Sequence, residues 1–275
     1  MSNLVSTNWL AAHLHDANLV VLDATWHLPT LKRNAREEFV AAHIPAARFF
    51  DLDRISDQAT SLPHMLPNAQ SFAANMGALG IGDDTMVVAY DSHGLFSAAR
   101  CWWMFKAFGH DKVAVLDGGF RKWFAEGSAV ESGEPALPKR QTFHANFNAT
   151  MVRSMADVAG NQAKVVDARS PARFCGEEPE PRPGVKPGHM PGAANLHYAK
   201  LVAADGTLLP KSALATAFQD AGANTAEPLI TSCGSGVTAA IVSLALTELG
   251  APNHALYDGS WAEWGASGQP IITGA

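Results

Sequence analysis

The chain has 275 residues, 47% of them hydrophobic and 17% charged, with a formal charge of -6 and three cysteines. That length exceeds one ordinary domain and the mean hydropathy is close to zero, so two soluble globular units are expected, not a disordered or membrane-embedded chain. The negative balance argues against a nucleic-acid partner, and the absence of any C-x-x-C pair argues against a disulfide scaffold or thiolate metal site and for a reducing compartment.

In chain order, Met1 to Val5 shows no basic stretch leading into a long apolar run. The most apolar stretch, 238–249, is shorter than the about 20 residues a membrane helix needs. A cytoplasmic protein with no membrane partner is expected. Leu19-Val20-Val21-Leu22-Asp23 is an apolar run closing on an acid, the pattern of a short buried strand. Ala42-His43-Ile44-Pro45-Ala46-Ala47 reads as a turn. Asp53 and His64 follow in polar segments where, by themselves, they read as a helix cap and a loop histidine. Val87-Val88-Ala89-Tyr90-Asp91 is a second strand that passes through Gly94 into a helix over 98–108, with Cys101, Trp102 and Trp103 on its core. Leu116-Asp117-Gly118-Gly119 with Trp123 closes this half, and 131–149, holding Gly133, Pro135 and Pro138, reads as a linker.

The same order then recurs about 140 residues on. Lys164-Val165-Val166-Asp167 repeats the first strand and Gly188-His189-Met190-Pro191-Gly192-Ala193 the turn. Leu229-Ile230-Thr231-Ser232-Cys233 repeats the second strand, and Tyr257-Asp258-Gly259-Ser260 with Trp261 and Trp264 the end. Strands alternating with helices predict an α/β fold: two tandem domains, 1–130 and 150–275, each an open, mainly parallel sheet flanked by helices. Sites in such sheets lie beyond the carboxyl ends of the strands.

One such strand end carries chemistry. Cys233-Gly234-Ser235-Gly236-Val237-Thr238 joins it to an apolar helix over 238–249. Glycines let the backbone turn its N–H groups inward as an anion nest, and the helix N-terminus adds positive potential. A thiolate held there is expected to have a depressed pKa and to act as a nucleophile. The plain alternative is an inert cysteine at a strand end. Upstream, Arg173 and Arg182 lie nine residues apart on a Gly/Pro-rich loop. Planar guanidinium groups suit a carboxylate ligand, and equally each arginine could pair with Glu177, Glu178 or Glu180.

The Cys233–Ala239 stretch resembles the active-site loop of 3-mercaptopyruvate sulfurtransferases, in the tandem-domain rhodanese superfamily, and the turn at 188–193 and Tyr257-Asp258-Gly259-Ser260-Trp261 extend the resemblance over the whole chain. It implies sulfur transfer through a Cys233 persulfide held by residues 234–238. The donor is 3-mercaptopyruvate, bound by Arg173 and Arg182, and pyruvate is released. The acceptor is a thiol, small or a thioredoxin-like protein, or cyanide. It also implies a Ser235, His64 and Asp53 relay for the proton, with the site between the two halves, and no metal or organic cofactor. Asp91 stands where Cys233 stands in the second half, so the first domain is expected to be inactive, its loop a relic. Thiosulfate sulfurtransferases are the nearest alternative, although they carry basic residues after the cysteine where this chain has Gly234 and Ser235. Related cysteine phosphatases close a longer loop on an arginine, where position 239 is Ala. A non-catalytic persulfide-recognition module is the alternative outside enzymes. Cys175 replaces the arginine of many relatives and reads as an incidental loop cysteine, and His189 as a residue that bonds the backbone.

Overall fold

A computed structural model describes residues 2–160 and 163–274. The elements run β1 (Leu4–Val5), α1 (Thr7–His13), β2 (Leu19–Asp23), α2 (Ala35–Ala41), β3 (Arg48–Phe49), α3 (Leu52–Ile55), α4 (Ala69–Ala78), β4 (Met86–Tyr90), α5 (Ala98–Ala107), β5 (Val113–Leu116) and α6 (Gly119–Ala125). They continue with β6 (Val152–Arg153), α7 (Met155–Ala159), β7 (Lys164–Asp167), α8 (Pro171–Cys175), β8 (Ala194–Asn195), α9 (Lys211–Asp220), β9 (Leu229–Ser232), α10 (Ala239–Leu249), β10 (His254–Tyr257) and α11 (Ser260–Trp264).

Two five-stranded sheets result, in the orders β1-β5-β4-β2-β3 and β6-β10-β9-β7-β8. Every strand pair in them is parallel, with Val21 opposite Val88 in one sheet and Val166 opposite Thr231 in the other. Parallel strands need crossovers and are covered on both faces, which is why their sequences are continuous Val/Leu/Ile runs. Helices α5 and α10 are apolar nearly all round and accordingly buried, Trp102 and Trp103 included.

Polar residues set where six of the helices begin. Ser6, Asn34, Asp51, Asn68 and Ser170 each accept a backbone N–H of the first turn, and Ser154 with Asp157 forms a capping box. Neither α5 nor α10 has a capping bond from its own N-cap side chain. Both start from the loops that follow β4 and β9.

The chain packs as two compact units that exchange short segments: 1–57 with 67–148 and 204–208, and 58–66 with 149–203 and 209–275. Two readings are thereby revised. The segment 58–66, placed by chain order in the first domain, packs in the second unit. The stretch 131–149, read as a linker, is packed on the first unit, where Gln141 N–H bonds Gly77 O at 3.0 Å and Asn146 N–H bonds Phe108 O at 2.9 Å. Backbone bonding, invisible in a Gly/Pro-rich sequence without period, holds it.

Candidate active site

In the second unit the chain passes from β7 to β8 on one side and then to β9 on the other, so the carboxyl ends of β7 and β9 form the topological switch point where α/β sheets place their ligands. Cys233 follows β9 there and is 2% exposed. Its carbonyl accepts the N–H of Trp261 and that of Gly234 accepts the N–H of Ala262, both at 2.9 Å. With these carbonyls turned toward α11 and Gly236 at φ +77°, the loop has the backbone form of an anion nest at the start of α10.

The first unit has that nest occupied by its own side chain. Asp91, after β4, accepts the N–H groups of His93 (2.9 Å) and Gly94 (3.1 Å) on Oδ1, and those of Phe96 (2.7 Å) and Ala98 (2.8 Å) on Oδ2. The loop expected to be a relic is a satisfied one: the carboxylate caps α5 from seven residues upstream. It also demonstrates that this strand–loop–helix turn gathers four donors around one anion.

Ser235 is buried, and its Oγ lies 2.9 Å from His64 Nδ1. His64 is held at φ +60°, a left-handed conformation that costs a residue with a side chain. Its segment is fastened two residues on, where Leu66 donates its N–H to Asp258 Oδ2 at 2.7 Å. Asp53 belongs to the first unit, where its carboxylate accepts Trp26 Nε1–H at 3.2 Å on both oxygens.

Both predicted arginines stand beside the cysteine loop. A side-chain carbon added to Gly234 would lie 3.1 Å from Arg173 Nη2 and 3.8 Å from Arg182 Nη1. Arg173 is also ion-paired, giving Nε to Glu180 Oε1 at 3.2 Å and Nη2 to Oε2 at 2.5 Å. The acid-pairing alternative and the loop-facing one therefore both hold for Arg173, whose Nη2 bonds Glu180 and also faces Gly234. Glu180 is itself shared with Arg169, whose guanidinium also pairs with Asp167 and lies 4.3 Å over the Trp261 ring. Burial disfavours the Arg169 charge, but its two carboxylates outweigh that and hold its pKa above the ordinary value.

Glu180 was one of the three acids the sequence offered as a partner, but Arg169 was not singled out. The signal lay in the repeat, since Arg169 stands two residues beyond the strand-closing Asp167 where the first half has Thr25 two beyond Asp23. His189 bonds Phe174 O through Nδ1 at 3.0 Å and stacks on the Phe174 ring at 3.8 Å, a backbone-bonding role as expected. Cys175 is half-buried and its carbonyl accepts Gly274 N–H at 2.8 Å.

Comparison with known proteins agrees with this architecture. The rhodanese-like domain model matches residues 6–126 and 150–267. A 3-mercaptopyruvate sulfurtransferase of Escherichia coli K12 is 43% identical over 267 residues, covering 95% of this chain and 94% of that protein. A thiosulfate sulfurtransferase of Cricetulus griseus is 42% identical over 272 residues, covering 95% and 91%. Among solved structures, that of SseA from Escherichia coli, a 3-mercaptopyruvate sulfotransferase with the rhodanese fold, superposes with a TM-score of 0.87 at 41% identity, covering 95% of this chain and 99% of the other.

Proposed function

The chain belongs to the rhodanese family, and from that premise we propose that it is a sulfurtransferase taking sulfur from 3-mercaptopyruvate onto Cys233. The observation that carries the donor is the pair Arg173 and Arg182 beside Gly234, one residue from the nucleophile. A guanidinium has five N–H donors in a planar fork, so Arg173 keeps Nη1 for the donor's carboxylate or ketone while Glu180 takes the Nε/Nη2 edge.

In the first half-reaction the Cys233 thiolate attacks the donor's sulfur. The S–S bond forms as the C–S bond breaks, and the electron pair leaves on C3 as the enolate of pyruvate. The donor's thiol proton, passed through Ser235 and His64, ends on C3, and the Cys233 persulfide anion stays in the nest of residues 234–238. The contact between Ser235 and His64 supports this path, with Asp53 proposed as the third member of the relay. In the second half-reaction an acceptor thiol, small or a thioredoxin-like protein, or cyanide, takes the outer sulfur and Cys233 returns as thiolate. The sulfur is held covalently throughout, so the mechanism calls for no metal or organic cofactor. The three cysteines are unpaired, in keeping with a reducing compartment such as the cytoplasm, and among the described residues no helix is long and apolar enough to cross a membrane.

Thiosulfate is the second donor to weigh, because a relative of that name is as similar as the mercaptopyruvate enzymes. Pyruvate release from 3-mercaptopyruvate, sulfur transfer from thiosulfate and the intact mass of the protein are to be measured together. Expected are rapid pyruvate release, slower turnover of thiosulfate, one added sulfur, and loss of all three signals in Cys233→Ser. A preference for thiosulfate overturns the donor. Activity in the serine variant overturns the nucleophile.

A further inference from the structure

Ser260 is a buried serine in a backbone conformation that suits glycine. It sits at φ +50° with 0% of its surface exposed. Its hydroxyl makes two hydrogen bonds: Oγ–H donates to Tyr257 O at 2.8 Å, and a lone pair accepts the N–H of Cys233 at 3.3 Å. The first repeat has glycine at the matching position, Gly119, at φ +56°. The surroundings match too, since Phe120 N–H bonds Asp91 O at 3.0 Å there, as Trp261 N–H bonds Cys233 O at 2.9 Å here. A side-chain carbon on Gly119 would stand 2.5 Å from Asp91 O and 2.6 Å from Gly94 O. The loop carrying aspartate has therefore closed over its glycine, whereas the loop carrying cysteine has room for a serine and a bond to it.

We propose that Ser260 is a positioning residue for sulfur transfer: its hydroxyl ties down the main-chain N–H of Cys233 and so orients the thiol and the nest that follows it. A left-handed serine is retained against its conformational cost at the one place where its Oγ reaches the nucleophile's own backbone. In the unit without a nucleophile, glycine serves. With the N–H of Cys233 anchored to Ser260 and its C=O to Trp261, both backbone groups of the cysteine are fixed to the first two residues of α11, leaving the side chain as the part free to react. The inference rests on Cys233 being the sulfur carrier.

The test compares Ser260→Gly and Ser260→Ala with the wild type. Glycine relieves the backbone and removes the hydroxyl. Alanine removes the hydroxyl and keeps the Cβ. Expected are a melting temperature of Ser260→Gly no lower than wild type, a kcat for pyruvate release reduced about tenfold or more in both variants with KM for the donor within about twofold, and a slower reaction of Cys233 with iodoacetamide. A kcat within twofold of wild type in either variant overturns the proposal, as does a fall in melting temperature of Ser260→Gly that accounts for the lost activity. The alkylation rate is independent of any sulfur donor. If wild-type protein released no pyruvate, the donor reading would fail while the alkylation comparison still decided the role of Ser260.

Discussion

Asp91 and Cys233 stand at matching positions on matching loops, and their chemistry divides the two halves. The Asp91 carboxylate fills its own nest with four N–H bonds. Cys233 has a single sulfur where Asp91 has a carboxylate. Cys233 and its loop were legible because the signal is local: strand, cysteine, two glycines, helix. The double duty of Arg173 was not, since no spacing reveals that the Nη2 bonded to Glu180 also faces Gly234. Gly234 has ordinary backbone angles, so alanine there keeps the fold. Its Cβ would press on Arg173 Nη2 at 3.1 Å and displace the fork by a few tenths of an ångström. Gly234→Ala is expected to raise KM for 3-mercaptopyruvate about tenfold with a smaller effect on kcat, measured by steady-state pyruvate release. An unchanged KM would remove Arg173 from donor binding.

At the level of elements, the carboxyl ends of the central strands concentrate buried charge in both sheets. The second unit neutralises Asp167, closing β7, with Arg169. The first has Thr25 in that place, so Asp23, closing β2, is held by the Thr25 N–H at 2.9 Å. Burial raises the Asp23 pKa to about 6 from 3.8, against the lowering effect of its bonds to Thr25 and Tyr90. Folded protein then holds a proton that unfolded chain releases between those two values, so stability falls as pH rises through that window and stays lower above it. Asp23→Asn keeps an acceptor for Thr25 and has no charge to bury. Its stability relative to wild type should be near nil at pH 4 and grow to a ceiling of about 3 kcal/mol by pH 8, read from urea unfolding at both pH values. A difference that does not change with pH would show that Asp23 is not the group responsible. Sequence periodicity predicted these strands to within a residue or so, because a strand buried on both faces must be apolar throughout. It did not predict which of the two closing aspartates has a cationic partner.

Over the whole molecule, duplication supplies two copies of one fold but one set of chemical groups. Phe39 under His43 and Phe174 under His189 are matching stacked pairs, each with the histidine Nδ1 on the phenylalanine carbonyl. The residue before each phenylalanine is Glu38 in one half and Arg173 in the other, and Glu38 is bonded to Arg33 and His27. Restoring only the nucleophile, in the double variant Cys233→Ser with Asp91→Cys, should therefore give no pyruvate release from 3-mercaptopyruvate. Measurable turnover would mean that the loop alone suffices for catalysis. The sequence by itself determined the duplication, the parallel α/β class and the cysteine loop, because hydrophobic period, glycine placement and strand-to-helix order are properties of neighbouring residues. Only the tertiary structure decided that 58–66 leaves its own half in chain order to set His64 against Ser235, that Arg173 and Arg182 meet at Gly234, and that Ser260 bonds the backbone of Cys233. Those pairings join residues from 9 to 171 positions apart, and what selects them is the burial of polar groups, which must find partners wherever the fold brings one within reach.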